Sequence, residues 1–289
     1  MLKWSAGGVV LTMLFVVMLF RASPVSEPRG PTKHLPPISG DAVTVLMQPV
    51  AGKKEERWRD LADNPYSRKF RRGFRYDGSG NWKPRVTVTY SRRADTFRGR
   101  VVAEQLKPNC AYQMKLQGRW EDRTAFERIG RVGRWWLPAG SSTNFTDEDY
   151  ERFAQKEKAA AYIFFDFFVT DERGHAEKDF SLDSSLHVLW HTPADTYEKE
   201  SPLLTPRSVL HLIVSNPDIY ENPSSTKTTA GVVAEAEQGG GRAEPRSVRL
   251  PDGEYNVTLL LTEESFHGSG DAGWWASVMQ ADVSFEIAP

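Results

Sequence analysis

Two histidines stand four apart in "SSLHVLWHTP" (184–193), as His187 and His191. On a helix that spacing would bring two imidazoles to one metal ion, whose nitrogen ligands sit about 2 Å away. On a strand the two residues share a face but lie about 13 Å apart, at ~3.3 Å per residue. Val188, Trp190 and the Thr192-Pro193 ending favour the strand. We therefore read the motif as strand, with no metal ligands assigned. A loop site built on His267 in "EESFHGSG", with Glu263 and Glu264 beside it, is the alternative for metal chemistry.

Other chemistries lack their residues. Ser269 is flanked by glycines in "GSG" (268–270), which is not G-x-S-x-G, and neither G-x-G-x-x-G nor G-x-x-x-x-G-K-[ST] occurs. "DGSGN" (77–81) has Asp77, Ser79 and Asn81 at alternate positions, but the twelfth position of a calcium loop would be Val88. We assign no catalytic residue and expect no cofactor. Two aromatic pairs remain as ligand-binding candidates: Trp135-Trp136 and Trp274-Trp275. Adjacent residues on a strand point to opposite faces, so each pair would leave one ring outward.

Charge is unevenly distributed. The chain has 37 Lys/Arg and 38 Asp/Glu, yet residues 1–100 carry 19 basic against 8 acidic side chains, and 151–289 carry 11 against 23. The basic half peaks in "KKEERWRDLADNPYSRKFRRGFRYDGSGNWKPR" (53–85), where eleven Lys/Arg interleave with Trp58, Tyr66, Phe70, Phe74, Tyr76 and Trp82. Lys53, Lys54, Arg57, Arg68, Lys69, Arg71 and Arg72 are the candidates for binding an anionic surface. In an exported chain that surface would be anionic lipid or an acidic envelope polymer, and nucleic acid is not expected.

Export is suggested by the N-terminus. "MLKWSAGGVVLTMLFVVMLFRASP" runs apolar for 17 residues from Trp4 to Phe20, behind Lys3 and before Arg21. The small residues that a signal peptidase wants at −3 and −1 are not paired at its exit, so an uncleaved anchor is favoured over a cleaved signal peptide. Residues 24–40 hold five prolines and read as a semi-rigid spacer. The expected location is the membrane, with the body on the periplasmic or extracellular side; a secreted protein is the alternative. Cys110 is the single cysteine, so no intramolecular disulfide forms, and a buried thiol is expected.

The body reads as mainly β. Strands are expected at 42–50, 85–90, 96–106, 111–118, 161–170, 186–190, 208–215, 254–262 and 276–287, and helices at 52–63 and 146–161. "LKPNCAYQMKL" places Leu106, Pro108 and Tyr112 before an alternating strand, and "LPDGEYNVTLLL" does the same with Pro251, Gly253 and Tyr255. Both resemble the tyrosine corner of fibronectin type III and related immunoglobulin-like domains. The resemblance implies an antiparallel β-sandwich in which each tyrosine hydroxyl bonds back to the preceding turn. The expected organisation is a signal anchor (1–23), a spacer (24–40), a first lobe (41–145), a connecting helix (146–161) and a second lobe (162–289). One large sandwich is the alternative to two lobes. Residues 222–246, rich in small and polar side chains, are expected to form a mobile surface loop.

The functional expectation is an exported, membrane-anchored, non-enzymatic β-sandwich protein with a binding or envelope-structural role. Its partners would be the membrane through the N-terminal helix, and an anionic lipid, an envelope polymer or another protein at the body. A secreted hydrolase or metal enzyme using His187, His191 and His267 is one alternative. A carbohydrate-binding module using the tryptophan pairs is the other.

Overall fold

The computed structural model describes residues 41–52, 57–138, 145–192, 207–215, 227–236, 248–264 and 275–289. The expected N-terminal helix and spacer lie outside them, as do Lys53, Lys54, His267 and Trp274. No helix among the described residues is long and apolar enough to cross a membrane.

The fold is mainly β, with antiparallel sheets. In the first sheet the order is β1 (Ala42–Leu46), β3 (Arg85–Ser91), β5 (Arg98–Glu104) and β9 (Ala176–Ser181). Along the second run β11 (Arg207–Ser215), β12 (Lys227–Ala236), β10 (Leu186–Thr192), β8 (Ala160–Val169), β6 (Ala111–Gly118), β13 (Gly253–Glu264), β14 (Trp275–Ile287) and β2 (Gln48–Pro49). Two short strands flank it: β4 (Arg93–Ala94), parallel to β14, and β7 (Arg134–Trp136), beside β8.

Alternation dictates which side chains are buried. Val86, Val88 and Tyr90 of β3 and Val101 and Ala103 of β5 share one core with Tyr112, Met114 and Leu116 of β6, Val257, Leu259 and Leu261 of β13, and Phe285 of β14. Phe97 links the sheets, its ring 4.5 Å from Phe285, 5.3 Å from Phe180 and 5.8 Å from Phe165. Each ring of this size stabilises by about 1.5–3 kcal/mol when fully buried. β6 is buried on both faces: Tyr112, Met114 and Leu116 enter the core, and on the opposite face Gln113 and Lys115 are covered too, Lys115 by the Trp275 ring.

Strands from both expected lobes therefore pair with each other. The register runs from Val257 opposite Gly118 to Glu263 opposite Tyr112, so strands from before and after 146–161 share one sheet. Residues 33–289 form one compact unit. Both corner tyrosines make their return bond: the Tyr255 hydroxyl donates to the Pro251 carbonyl (2.6 Å), and the Tyr112 hydroxyl accepts from the Lys107 amide (3.1 Å).

Three expectations need correction. The helix expected over 146–161 stops early: α3 spans Asp147–Arg152, closed by a reciprocal Thr146–Asp149 capping box, and β8 begins at Ala160. Residues 57–63 are not helical, because the Asp60 carboxylate accepts from the Ala62 and Asn64 amides and closes a tight turn instead. The segment expected as a loop over 222–246 contains β12, whose "TTAGVVA" buries Val232 and Ala234 against Leu189 and Phe164. A helix not expected, α2 (Arg123–Val132), starts where Asp122 caps the Ala125 amide and buries Ala125, Phe126 and Ile129.

Candidate functional site

The basic stretch folds into a short helix whose two faces differ completely. Ser67 caps α1 (Arg68–Gly73) by accepting from the Phe70 amide at 3.0 Å. Phe70 and Phe74, four apart, point inward with Tyr66 and Tyr76, while Arg68, Lys69, Arg71 and Arg72 are exposed. The aromatics interleaved with the charges are thus core. The chain returns against the helix at Gly80, where a Cβ would stand 1.9 Å from the Gly73 carbonyl oxygen, so only glycine permits the approach. Arg68, Lys69 and Arg72 line an open hollow of about 720 Å³ with Gly73, Ser79, Gly80 and Asn81. No ion pair forms on these three cations among the described residues. From Pro65 to Arg85 there are seven Lys/Arg and one acid, Asp77. Arg71 stands beside the hollow, 5.6 Å from the Trp58 ring.

Arg57 does not belong to this surface. It is 3% exposed and lies 3.7 Å from Asp63 in the interior. Its backbone takes part in a buried clasp. Glu263 accepts from the Arg57 amide (2.9 Å), from the Lys107 ammonium (2.9 Å) and from the Tyr76 hydroxyl. Lys107 also donates to the Arg57 carbonyl at 2.7 Å and lies 4.1 Å from the centre of the Trp58 ring. Neither Lys107 nor Glu263 exposes any side-chain surface.

The hydrogen bonds have a direction. Tyr76 spends its proton on Glu263, so the Tyr76–Tyr112 contact of 2.9 Å must have Tyr112 as donor, while Tyr112 accepts from the Lys107 amide. Burial pushes both phenols well above their ordinary range, which keeps these donors protonated. Further ties run from the Leu61 amide to the Asn109 carbonyl (2.8 Å) and from the Tyr66 hydroxyl to the Pro108 carbonyl (2.6 Å). Together these bonds fix both flanks of α1 to the turn before β6. The clasp is how the basic surface is held in place.

Asp60 lies in the same segment, fully buried, and burial raises its carboxyl to about 6 from an ordinary 3.8. The folded state therefore holds the proton more tightly than the unfolded chain. Asp60's contribution is most favourable below pH 4 and is lost as pH rises through 6, a change of up to about 3 kcal/mol. Asp60→Asn is expected to flatten the pH dependence of urea unfolding between pH 4 and 6. Asp166, whose carboxyl burial also raises, contributes a slope of the same sign.

The remaining candidates separate. Trp135 is 2% exposed and stacks on Tyr150 at 3.7 Å, so it is unavailable to a surface ligand. Trp136 and Trp275 are 49% and 40% exposed. His187 and His191 lie on β10, whose backbone is strand with a bulge between Leu186 and Val188. Among the described residues no three of His, Cys, Asp and Glu gather as a metal site, and Glu263 is committed to the clasp. Cys110 is buried, its thiol pushed up to about 12 by that burial.

The sequence offers Glu263 only as a metal-site neighbour of His267 and Tyr76 only as one of the interleaved aromatics; nothing in it singles out Lys107 or joins the three. One signal was present: Glu263 continues the inward series Tyr255, Val257, Leu259 and Leu261, which places a carboxylate on the core face. No protein-family model matches the chain, and neither curated proteins nor solved structures provide a match.

Proposed function

We propose that this chain is an exported, membrane-anchored binding protein whose body, a β-sandwich made of the two face-packed sheets, docks onto an anionic surface through α1. The observation that carries the reading is the group of three exposed cations, Arg68, Lys69 and Arg72, around one hollow, with no ion pair on them among the described residues. The apolar run at 4–20 and the proline-rich spacer support a tether. Extended polyproline rises about 3.1 Å per residue, so a spacer of this kind keeps the body within tens of ångströms of the bilayer. Where such a tether lets α1 reach the anionic leaflet itself, each Lys or Arg contributes about 1 kcal/mol, an attraction that falls off within a Debye length.

The test uses the full-length protein in a neutral detergent without a sugar headgroup. It is titrated with short-chain phosphatidylglycerol, with short-chain phosphatidylcholine as control, and with polyphosphate as a polymeric anion. Reversing Arg68, Lys69 and Arg72 together to glutamate is expected to weaken anion binding by at least roughly 100-fold, since losing three cations alone costs about 3 kcal/mol. Wild-type affinity should also fall as salt rises. Equal binding by the wild type and the triple variant would remove α1 from the function.

A further inference from the structure

Among the described residues three large apolar side chains are exposed, and two of them, Trp136 and Trp275, belong to the second sheet. The register shows that Trp136 occupies that sheet's outer face. Trp136 stands opposite Ala160, and Arg134 stands opposite Tyr162. Directly opposed residues of an antiparallel pair share a face, so Trp136, Arg134 and Tyr162 lie on the side away from the inward Trp135. Gln117 of β6, also opposite Tyr162, joins them. Trp275 reaches the same place from β14, its ring 5.9 Å from Tyr162 although β6 and β13 intervene. Lys115 fixes that position. Its ammonium lies 4.1 Å from the centre of the Trp275 ring and 5.6 Å from that of Tyr162.

We infer that this face is a glycan-binding platform, with the Trp136 and Trp275 rings as stacking surfaces and Tyr162 between them. A pyranose with equatorial hydroxyls presents flat faces of C–H bonds, which pack on an aromatic ring, and a polar rim that bonds to amides and cations. Gln117 provides such an amide within the same patch. A protein partner is a poorer match, because a stable interface buries about 800 Å² per side around a contiguous apolar centre. Here two indoles stand apart among polar neighbours. The Lys115 support means Trp275 is already held before a ligand arrives, which lowers the ordering cost of binding.

The platform is independent of α1, so the triple charge reversal leaves it unchanged. The experiment titrates the full-length protein, in the same sugar-free detergent, with cellohexaose, chitohexaose and laminarihexaose, followed by tryptophan fluorescence and calorimetry. At least one hexasaccharide is expected to bind saturably with a fluorescence change. Trp136→Ala and Trp275→Ala are each expected to lose at least tenfold in affinity, and Trp275→Phe, which keeps a ring over Lys115, to lose less. Unfolding midpoints of the variants check that the fold survives. No saturable binding of any of the three sugars would overturn the proposal, as would unchanged affinity in both alanine variants.

Discussion

Replacing Lys107 with methionine is expected to destabilise the protein by about 3–5 kcal/mol, the cost of leaving a buried carboxylate without its counter-charge. Glu263 would keep the Arg57 amide and the Tyr76 hydroxyl, but neither carries positive charge. The Arg57 carbonyl would lose its donor as well. Glu263→Gln should destabilise as well, because its single amide oxygen can replace only one of the two carboxylate oxygens that accept from Arg57 and Tyr76, and the buried Lys107 ammonium loses its counter-charge. The double variant Lys107→Met/Glu263→Leu should recover much of the loss, since replacing both members of a buried pair by apolar residues removes the desolvation cost. Recovery should stop short of wild type, with Tyr76 and the Arg57 amide left without an acceptor. Urea unfolding of wild type, Lys107→Met, Glu263→Leu and the double variant closes the cycle and measures the coupling directly. A loss below about 1 kcal/mol for Lys107→Met would mean that the pair is not buried in solution. The same variant should speed amide exchange through 68–73, because the clasp holds both flanks of α1.

Local pattern made the strands legible and tertiary pairing hid the rest. All nine expected strands exist, since β-branched and aromatic residues alternate across them whatever their neighbours are. β12 escaped because its glycine, alanines and threonines suit a loop; only pairing with β10 and β11 makes them strand. α2 was visible in principle, with Asp122 before Ala125, Phe126 and Ile129, but two strand-rich flanks masked it. The basic segment was read for its charges, and its Lys/Arg at 68–72 do face outward. Arg57 belongs to the same run yet is buried, because Asp60 goes inward with it and the half-buried Trp58 packs against the core. The partnership of Lys107 with Glu263 spans 156 residues, and no spacing rule reaches that far.

The two adjacent tryptophans of β7 should respond in opposite ways to the same substitution. Trp135→Ala is expected to cost about 3–5 kcal/mol, the range for truncating a large aromatic in a core that cannot collapse. Collapse is blocked on several sides. The indole stacks on Tyr150 at 3.7 Å and lies 5.7 Å from Phe126. Its edge presses so closely on α2 that a Cβ at Gly130 would stand 2.3 Å from it. Its ring N–H also donates to Asp147 at 2.7 Å, at the start of α3, so truncation removes a bond that anchors that helix. Trp136→Ala removes a ring that is 49% exposed and should change stability by no more than about 0.5 kcal/mol. Unfolding midpoints of the two variants, measured side by side, check the register that sends one indole inward and the other to the outer face. The reverse order, a large loss at Trp136 and a small one at Trp135, would mean that β7 is shifted by one residue, which would exchange the faces of the two indoles and take the platform apart with them.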